Sequence, residues 1–181
     1  AEPSLHAGRG RRGGGRYRVA LVALTLATFM LYLTRIEAKG IWWDESLSLY
    51  RARLSVPEIL SNRITYGTVT TVDLHPPLYF LLLRGLTRVL GESDTVLRLL
   101  SACAGTLLVP LLYATGTRLR GRRAGALAAL YGAGSPLILW YAQEARMYTL
   151  VTLFCLLTFY CLWRAVTEGR ASWALGAAAS T

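Results

Sequence analysis

Apolar residues occur along this chain in long uncharged runs rather than at the spacing of amphipathic helices or strands. Four such runs of 16 to 20 residues are Val19–Thr34, Leu99–Thr117, Ala124–Gln143 and Met147–Trp163. A bilayer core takes about 20 mostly apolar residues per helix, with a range of about 17–25. The first run reaches that length once Tyr17 and a snorkelling Arg18 are included. The pattern predicts a polytopic α-helical membrane protein that crosses the bilayer at least four times.

A fifth apolar run, Ala171–Thr181, ends with the chain, and we expect the chain to be part of a longer protein. The first run lacks a small-residue cleavage site, which favours an uncleaved anchor over a signal peptide. Cys103, Cys155 and Cys161 all lie within apolar runs. We therefore expect free thiols packed as small hydrophobes rather than disulfides or metal ligands.

The net charge of +10 is concentrated at the ends of the runs. More than half of the basic residues lie in three short segments, 9–18, 118–123 and 164–170. Short loops rich in Lys and Arg stay in the cytoplasm, so we expect all three segments to lie on the cytoplasmic side of the membrane. The remaining segments are nearly neutral. The basic character therefore indicates membrane orientation, and we expect no nucleic-acid partner.

The orientation depends on the stretch His75–Leu90. If this stretch crossed the bilayer, residues 118–123 would face the opposite side from residues 9–18. Only ten uncharged residues, Leu74–Leu83, precede Arg84, and runs of about 10–14 are more often interfacial or re-entrant. We expect the stretch to lie along the membrane surface, which makes residues 35–94 one long external loop.

The predicted fold is an all-α, polytopic transmembrane helical bundle. Residues 1–16 form a disordered basic cytoplasmic tail, and residues 17–181 form a membrane module. The spans are expected at about 17–34, 95–117, 124–141 and 147–165. In the external loop, Ser46–Leu60 suits amphipathic juxtamembrane helices, with Pro57 opening the second one. Gly67–Val72 is expected to be an extended connector.

Three polar clusters fall on the predicted external side. The first is the adjacent pair Asp44 and Glu45, directly after the anchor. Two carboxylates here can supply a general base and a second group for binding or metal ligation. The alternative is helix capping, because acidic residues are favoured in a helix's first turn.

The second cluster contains Asp73 and His75, followed by Pro76 and Pro77. The prolines force an extended entry and then start a helix, which holds His75 at the helix N-terminus. Such a histidine can bind a metal, a phosphate or sugar hydroxyls. Alternatively, the prolines form only a rigid corner where the chain meets the membrane.

The third cluster is the link between the last two runs, with Gln143, Glu144, Arg146 and Tyr148. Charges beside apolar runs are costly unless they face a polar cavity or each other. If the link is helical, Glu144 and Tyr148 share one face. An arginine at the level of lipid phosphates suits recognition of a phosphorylated lipid, and the alternative is an arginine that snorkels from a tight turn.

The order of these segments resembles the polytopic glycosyltransferases of the GT-C superfamily. It is most similar to the bacterial mannosyltransferase-like branch related to protein O-mannosyltransferases and lipid A aminoarabinose transferases. The resemblance rests on the acidic pair at 44–45, the Asp-x-His-Pro-Pro-Leu-Tyr segment at 73–79, the basic turn at 118–123 and Gln-Glu-Ala-Arg-Met-Tyr at 143–148. It covers about residues 17–170.

The resemblance implies transfer, with inversion, of a hexose or pentose from a polyprenyl phosphate to an acceptor outside the cytoplasmic membrane. Asp44 matches the catalytic base of the family and Glu45 its acidic neighbour. Asp73 and His75 match loop residues that flank the donor site. Membrane lipids and the polyprenyl-phosphate donor are the expected partners.

Gln143, Glu144, Arg146 and Tyr148 are expected to bind substrate, with Arg146 as the candidate for the lipid phosphate. Some members bind a divalent cation, for which Asp44, Glu45 and His75 are the candidates here. Members have more spans than this chain, so the chain alone is expected to be inactive.

Two other functions fit the same features. A transporter or flippase component would bind a lipid-linked sugar without chemistry, but transporters place ionisable residues near the bilayer midplane rather than at span ends. A non-catalytic scaffold is the third interpretation. The position of the charged clusters favours the enzyme.

Overall fold

A computed structural model describes residues 9–169 and 171–180. Its helices and strands, in chain order, are α1 Arg9–Leu33, α2 Trp43–Arg53, α3 Val56–Leu60, β1 Arg63–Tyr66, β2 Val69–Val72, α4 Pro77–Leu90, α5 Asp94–Arg120, α6 Arg122–Ala133, α7 Pro136–Ala142, α8 Tyr148–Glu168 and α9 Ala171–Ala179. The mostly α, multi-span fold predicted from the sequence is confirmed.

Among the described residues, three helices are long and apolar enough to cross a bilayer: α1 from Gly15 onward, α5 and α8. These correspond to the first, second and fourth predicted spans. The third predicted span, 124–141, is not one continuous helix. It is divided into α6 and α7 at Gly134 and Ser135, and the two together would make a fourth crossing. Pro136 opens α7 and contributes to the break because proline disfavours helical backbone in the residue before it.

Helix α1 begins at Arg9, within the segment 1–16 for which disorder was expected. Residues 1–8 of that predicted tail lie outside the described residues. Arginine is a favourable helix residue, so the apolar helix can continue toward its N-terminus through a basic segment. Cys103, Cys155 and Cys161 are free thiols, but only Cys161 is buried as expected, and Cys103 and Cys155 are exposed.

The helices of the first loop form where their end signals predict. Helix α2 carries Asp44 and Glu45 in its first turn and Arg51 and Arg53 in its last, which complements the helix dipole. Helix α3 starts with a capping box between Ser55 and Glu58, and Pro57 lies in its first turn. The two short helices and the position of Pro57 agree with the helices expected in Ser46–Leu60, and their position beside the membrane stays a prediction.

The stretch expected as an extended connector is half of a β-hairpin. Strands β1 and β2 pair antiparallel, with Arg63 opposite Val72 and Tyr66 opposite Val69. Gly67 occupies the turn with a φ of +57°, a conformation that side-chain-bearing residues rarely adopt. The β-branched residues that suggested an extended chain thus find a partner strand only 3 to 9 residues away.

Helix α4 covers the stretch whose topology was in question. It has 14 residues, or about 21 Å of helix, against about 30 Å for a bilayer core. Its buried residues Tyr79, Phe80, Leu83 and Thr87 lie on one face, while Leu82 on another face is exposed. An amphipathic helix of this length agrees with a surface or re-entrant position rather than a crossing.

The chain forms two compact units. One unit comprises residues 32–105 and 136–154, and its core is built around Tyr79, Phe80, Leu83 and Leu97. All eight predicted site residues lie in this unit, which we call the loop unit. The other comprises the described residues before 32, residues 106–135 and those from 155 onward.

Within the second unit, α5 and α6 approach closely at two glycines. A Cβ added to Gly125 would lie 2.1 Å from the Thr117 hydroxyl and 2.5 Å from the Tyr113 carbonyl. Gly116 similarly faces the Gly125 backbone at 2.9 Å. The absence of side chains at these positions is what permits the contact.

Candidate active site

Helix α2 places the two adjacent carboxylates in different surroundings. Glu45 lies on the buried face of the helix with Ser48 and Ala52, at the three- and four-residue spacing of one helical face. The Asp44 side chain is 33% exposed. The acidic pair therefore divides into one buried residue and one that solvent and ligands can reach.

Glu45 is held by the buried Arg98 of α5. The Arg98 Nε and Nη2 donate to the two carboxylate oxygens of Glu45 at 2.8 and 2.7 Å. The Ala145 backbone N–H also donates to Glu45, at 2.8 Å. Burial alone would raise the pKa of Glu45, but these hydrogen bonds and the Arg98 charge outweigh it and lower that pKa. Glu45 is therefore an ionised residue whose acceptor positions are occupied by the protein.

Arg98 also binds the segment between α1 and α2. Its Nη1 donates to the carbonyls of Ile36 and Lys39, the latter at 2.9 Å, and its Nη2 reaches the Gly40 carbonyl at 3.3 Å. This one side chain thus joins three carbonyls and a carboxylate. The geometry uses the fixed, fork-like arrangement of guanidinium donors.

Asp73 is held in a comparable way by Arg51 of α2. Arg51 is buried, forms an ion pair with the Asp73 carboxylate and lies 4.2 Å from the Phe80 ring centre. Burial opposes ionisation of Asp73, but the His75 N–H and the Arg51 guanidinium outweigh it and lower the pKa of Asp73. Asp73 is therefore anionic and anchored at the end of the hairpin.

His75 lies between Asp73 and Arg146 and contacts both. Its Nδ1 lies 2.5 Å from Asp73 Oδ1, and its Nε2 lies 3.5 Å from Nη2 of Arg146. Because a guanidinium nitrogen only donates, Nε2 acts as the acceptor and Nδ1–H donates to Asp73. The imidazole is 38% exposed, so it is oriented by Asp73 and still accessible.

Arg146 contacts both Asp44 and His75. Its side chain is only 4% exposed, and its Nη1 reaches the Asp44 backbone carbonyl at 3.3 Å. The nearest carboxylate oxygen, Asp44 Oδ2, is 3.9 Å from Nη2. The buried Nε has no hydrogen-bond partner within the described part of the chain. The arginine is thus a buried cation with long contacts and spare donors.

The link between α7 and α8 is a turn and not a helix. Its backbone bonds include Arg146 N–H to the Glu144 carbonyl at 2.8 Å. The Ser101 hydroxyl donates to the Arg146 carbonyl at 2.8 Å. The premise under which Glu144 and Tyr148 would share a helical face is therefore not met. Gln143 donates to the carbonyls of Tyr32 and Thr34 at 3.1 and 2.9 Å, where α1 ends.

A cavity of about 380 Å³ lies in the loop unit. Its lining residues are Lys39, Gly40, Trp42, Glu45, Arg98, Trp140, Tyr141, Gln143, Glu144 and Tyr148. The Lys39 ammonium lies 3.4 Å from the Trp140 ring centre. Burial is the main cause that raises the pKa of Glu144. Four of the ten lining residues are aromatic, and the Arg98–Glu45 pair contributes no net charge.

The larger part of the chain matches a known protein family. The sequence model of the dolichyl-phosphate-mannose-protein mannosyltransferase family matches residues 74–181, more than half of the chain. The chain belongs to this family. Membership confirms the resemblance seen in the sequence and assigns glycosyltransferase-type activity with membrane association. No curated protein and no solved structure matches the chain significantly.

The family match includes His75, Arg146 and the cavity residues Gln143, Glu144 and Tyr148, and it begins after Asp44, Glu45 and Asp73. The structure brings Asp44, Asp73, His75 and Arg146 into one connected cluster. Glu45, Gln143, Glu144 and Tyr148 line the cavity, and Tyr148 joins the two regions because its ring centre is 5.6 Å from Cζ of Arg146.

The residues considered for a metal, Asp44, Glu45 and His75, do not fit a divalent cation. Glu45 accepts from Arg98 and Ala145, and both ring nitrogens of His75 face other partners. No group of three or more potential metal ligands occurs among the described residues.

Two residues of this candidate site, Arg51 and Arg98, were missed from the sequence. Arg98 directly precedes the uncharged run Leu99–Thr117, and a charge beside a span is costly unless it is paired. That argument was applied to Arg146 and would have selected Arg98 as well. Arg51 offered no comparable signal because it lies among the charges of a surface helix.

Proposed function

We propose that the protein containing this chain transfers a sugar from a polyprenyl-phosphate donor to an acceptor hydroxyl, with inversion, on the non-cytoplasmic face of the plasma membrane. In this proposal Arg146 binds the donor phosphate and Asp44 is the general base. The family supports the reaction class, and the contacts around Arg146 support the assignment of roles.

The observation that carries the proposal is the difference among three buried arginines. Arg51 and Arg98 each form a close pair with a carboxylate, Asp73 and Glu45 respectively. Arg51 also has a buried Nε without a partner among the described residues, but its charge is balanced. The nearest carboxylate oxygen to Arg146 is 3.9 Å away. A buried cation without a close counter-ion is costly, and a phosphate would supply two or more acceptors for it.

Asp44 is suited to act as the general base because its side chain is accessible and adjacent to Arg146. The carboxylate takes the proton of the acceptor hydroxyl as that oxygen bonds to the anomeric carbon. The bond from that carbon to the phosphate oxygen breaks, and polyprenyl phosphate leaves with the electron pair. Attack from the side opposite the phosphate inverts the anomeric carbon. Arg146 stabilises the charge that develops on the leaving phosphate.

His75 contributes to binding in this scheme. Asp73 orients the ring, and Nε2, which has only a long 3.5 Å contact with Arg146, would accept from a sugar hydroxyl in place of Arg146 once Arg146 binds the phosphate. Asp73 itself is occupied by Arg51 and His75, so we assign it an orienting role. The neighbouring cavity, with Glu144 and Tyr148, would receive the part of the substrate beyond the phosphate.

The external location rests on the three cytoplasmic arginine segments and on α4 not crossing the membrane. With that orientation, α2, the start of α4 and the turn at 143–146 all lie on the non-cytoplasmic side. Donors carried on a polyprenyl chain reach this level within the lipid phase. The enzyme is therefore expected to work where lipid phosphates and an external acceptor meet.

Arg146→Met tests the phosphate site through binding of polyprenyl phosphate to the purified full-length protein. Loss of a charge-assisted hydrogen bond, about 1.5–3 kcal/mol, predicts binding weaker by roughly ten- to a hundredfold. Arg84→Met is the matched control, because Arg84 donates to the carbonyls of residues 52–54 and forms no salt bridge among the described residues. Wild-type binding by Arg146→Met would exclude the assignment.

A further inference from the structure

The buried pair of Arg98 and Glu45 connects the residues on both sides of the proposed reaction centre. Glu45 directly follows Asp44 in the first turn of α2. Its carboxylate accepts the N–H of Ala145, the residue directly before Arg146. Arg98 donates hydrogen bonds to the same carboxylate from Nε and Nη2. One ion pair thus fixes the backbone beside the proposed base and beside the proposed phosphate-binding arginine.

Arg98 also restrains the approach to α2. Its remaining hydrogen bonds go to the carbonyls of Ile36, Lys39 and Gly40 in the segment that leads from α1 into α2. The start of α2 and the turn at 143–146 are therefore tied to α5 through the same guanidinium. Asp44 Oδ2 and Arg146 Nη2 are 3.9 Å apart within this arrangement.

Stability alone does not account for such a pair. Replacing a buried ion pair by apolar residues of similar volume is often neutral or stabilising. An apolar pair would not bind the Ala145 N–H and three carbonyls at fixed angles. Reacting groups need placement within fractions of an ångström, and a displacement of about 1 Å can reduce a rate roughly a hundredfold.

We propose that Arg98 is a positioning residue that acts through Glu45 to hold Asp44 and Arg146 at their working separation. Glu45, considered from the sequence as a catalytic residue, belongs to this positioning pair and not to the groups that touch substrate. The inference rests on the proposed function, because it takes Asp44 and Arg146 as the reacting and binding groups.

Arg98→Lys tests the guanidinium geometry while it keeps the charge opposite Glu45. We expect kcat for transfer from polyprenyl-phosphate mannose to fall by about a hundredfold. Binding of polyprenyl phosphate should change little, because Ser101 still holds the Arg146 carbonyl. Glu45→Gln should show a similar loss of kcat, since its amide nitrogen would face the Arg98 donors.

The matched control is Arg84→Lys. Arg84 donates to three carbonyls at the opposite end of α2, so this variant also loses guanidinium contacts to backbone. It should transfer at the wild-type rate. Thermal unfolding of all variants identifies any that are not folded, and Glu45→Gln provides the test if Arg98→Lys is not. A wild-type kcat in folded Arg98→Lys or folded Glu45→Gln would overturn the inference.

A double-mutant cycle separates positioning from a general structural role. If Arg98 acts by placing Asp44, Arg98→Lys should reduce the residual rate of Asp44→Asn far less than it reduces the wild-type rate. Equal fold losses in both backgrounds would show that Arg98 acts independently of Asp44, and would overturn the inference.

The two proposals fail in different ways. If Arg146→Met binds polyprenyl phosphate normally and Asp44→Asn transfers normally, the proposed function is wrong. If those variants behave as proposed while folded Arg98→Lys keeps the wild-type kcat, only the positioning role of Arg98 is wrong.

Discussion

Asp73→Asn should destabilise the loop unit because it removes the only close counter-ion of a fully buried arginine among the described residues. Arg51 has 0% exposure, and the Asp73 carboxylate balances its charge. The variant keeps one side-chain oxygen, which can accept from either Arg51 or the His75 N–H, because these donors bind different oxygens of Asp73. The change therefore removes one negative charge and one of two acceptor positions from a buried site.

The expected loss follows from the cost of an unpaired buried charge. Breaking a buried pair by removing one partner typically costs about 3–5 kcal/mol. Arg51 keeps hydrogen bonds to the Ile59 carbonyl at 3.0 Å and to Asn62 Oδ1 at 3.1 Å. These two bonds place the prediction at the lower end, about 3 kcal/mol of unfolding free energy.

Denaturant unfolding of the detergent-solubilised full-length protein measures this loss. Glu92→Gln is the matched control, because it removes the carboxylate of an exposed pair with Arg53 and should cost at most about 1 kcal/mol. Adding Arg51→Met to Asp73→Asn should recover stability, since the orphaned charge is then gone. A loss for Asp73→Asn no larger than that for Glu92→Gln would refute the reasoning.

The same variant predicts a change in pH dependence. The pKa of Asp73 is lower in the fold than its ordinary value of 3.8, so its carboxylate stabilises the fold above that pH. This contribution is lost as the pH falls through the lowered pKa. The stability difference between wild type and Asp73→Asn should therefore shrink on strong acidification. A constant difference across that range would contradict the assigned pairing.

Three further predictions concern Glu144, the helix contact and the topology. Burial raises the pKa of Glu144 above 4.5, so folding disfavours its ionised form. Glu144→Gln should therefore raise the free energy of unfolding near about pH 7 but not near about pH 4. An equal gain in stability at both pH values would contradict this. Gly125→Ala should lower the stability measured by thermal unfolding by about 1–3 kcal/mol, because the added methyl group overpacks the contact between α5 and α6. Gly85→Ala, in open space on α4, should instead raise the stability by about 0.5–1 kcal/mol. Similar effects of both variants would refute the close approach of α5 and α6. Single cysteines in place of His75 and Arg120 should be labelled from opposite sides of the membrane, and labelling from one side would exclude the surface position of α4.

The spans were predictable because a bilayer imposes a length on uncharged runs. Both ends of α5 and α8 and the C-terminal end of α1 lie within a few residues of the expected limits, whereas α1 begins earlier than expected, at Arg9. The break before Pro136 was not predicted, although Gly134 and Pro136 are visible in the sequence. Such residues are tolerated in many membrane helices when neighbouring groups satisfy the freed backbone, so their presence alone does not predict a break.

The candidate site was predictable as a set of residues but not as a set of pairs. Asp44, His75 and Arg146 were selected from their residue types and their places beside apolar runs. The partners Arg51–Asp73 and Arg98–Glu45 are 22 and 53 residues apart, and only the fold determines which charges meet. For the same reason the sequence could not distinguish Glu45, occupied by Arg98, from its accessible neighbour Asp44.

The most direct test of the proposed catalytic role is the rate of sugar transfer by Asp44→Asn. The assay uses the full-length protein, polyprenyl-phosphate mannose as donor and saturating acceptor, with polyprenyl-phosphate binding measured on the same preparation. Loss of a general base predicts a kcat lower by about 10²–10⁴, with lipid binding near the wild-type value. Transfer by Asp44→Asn at the wild-type rate would contradict the assignment of Asp44 as the base.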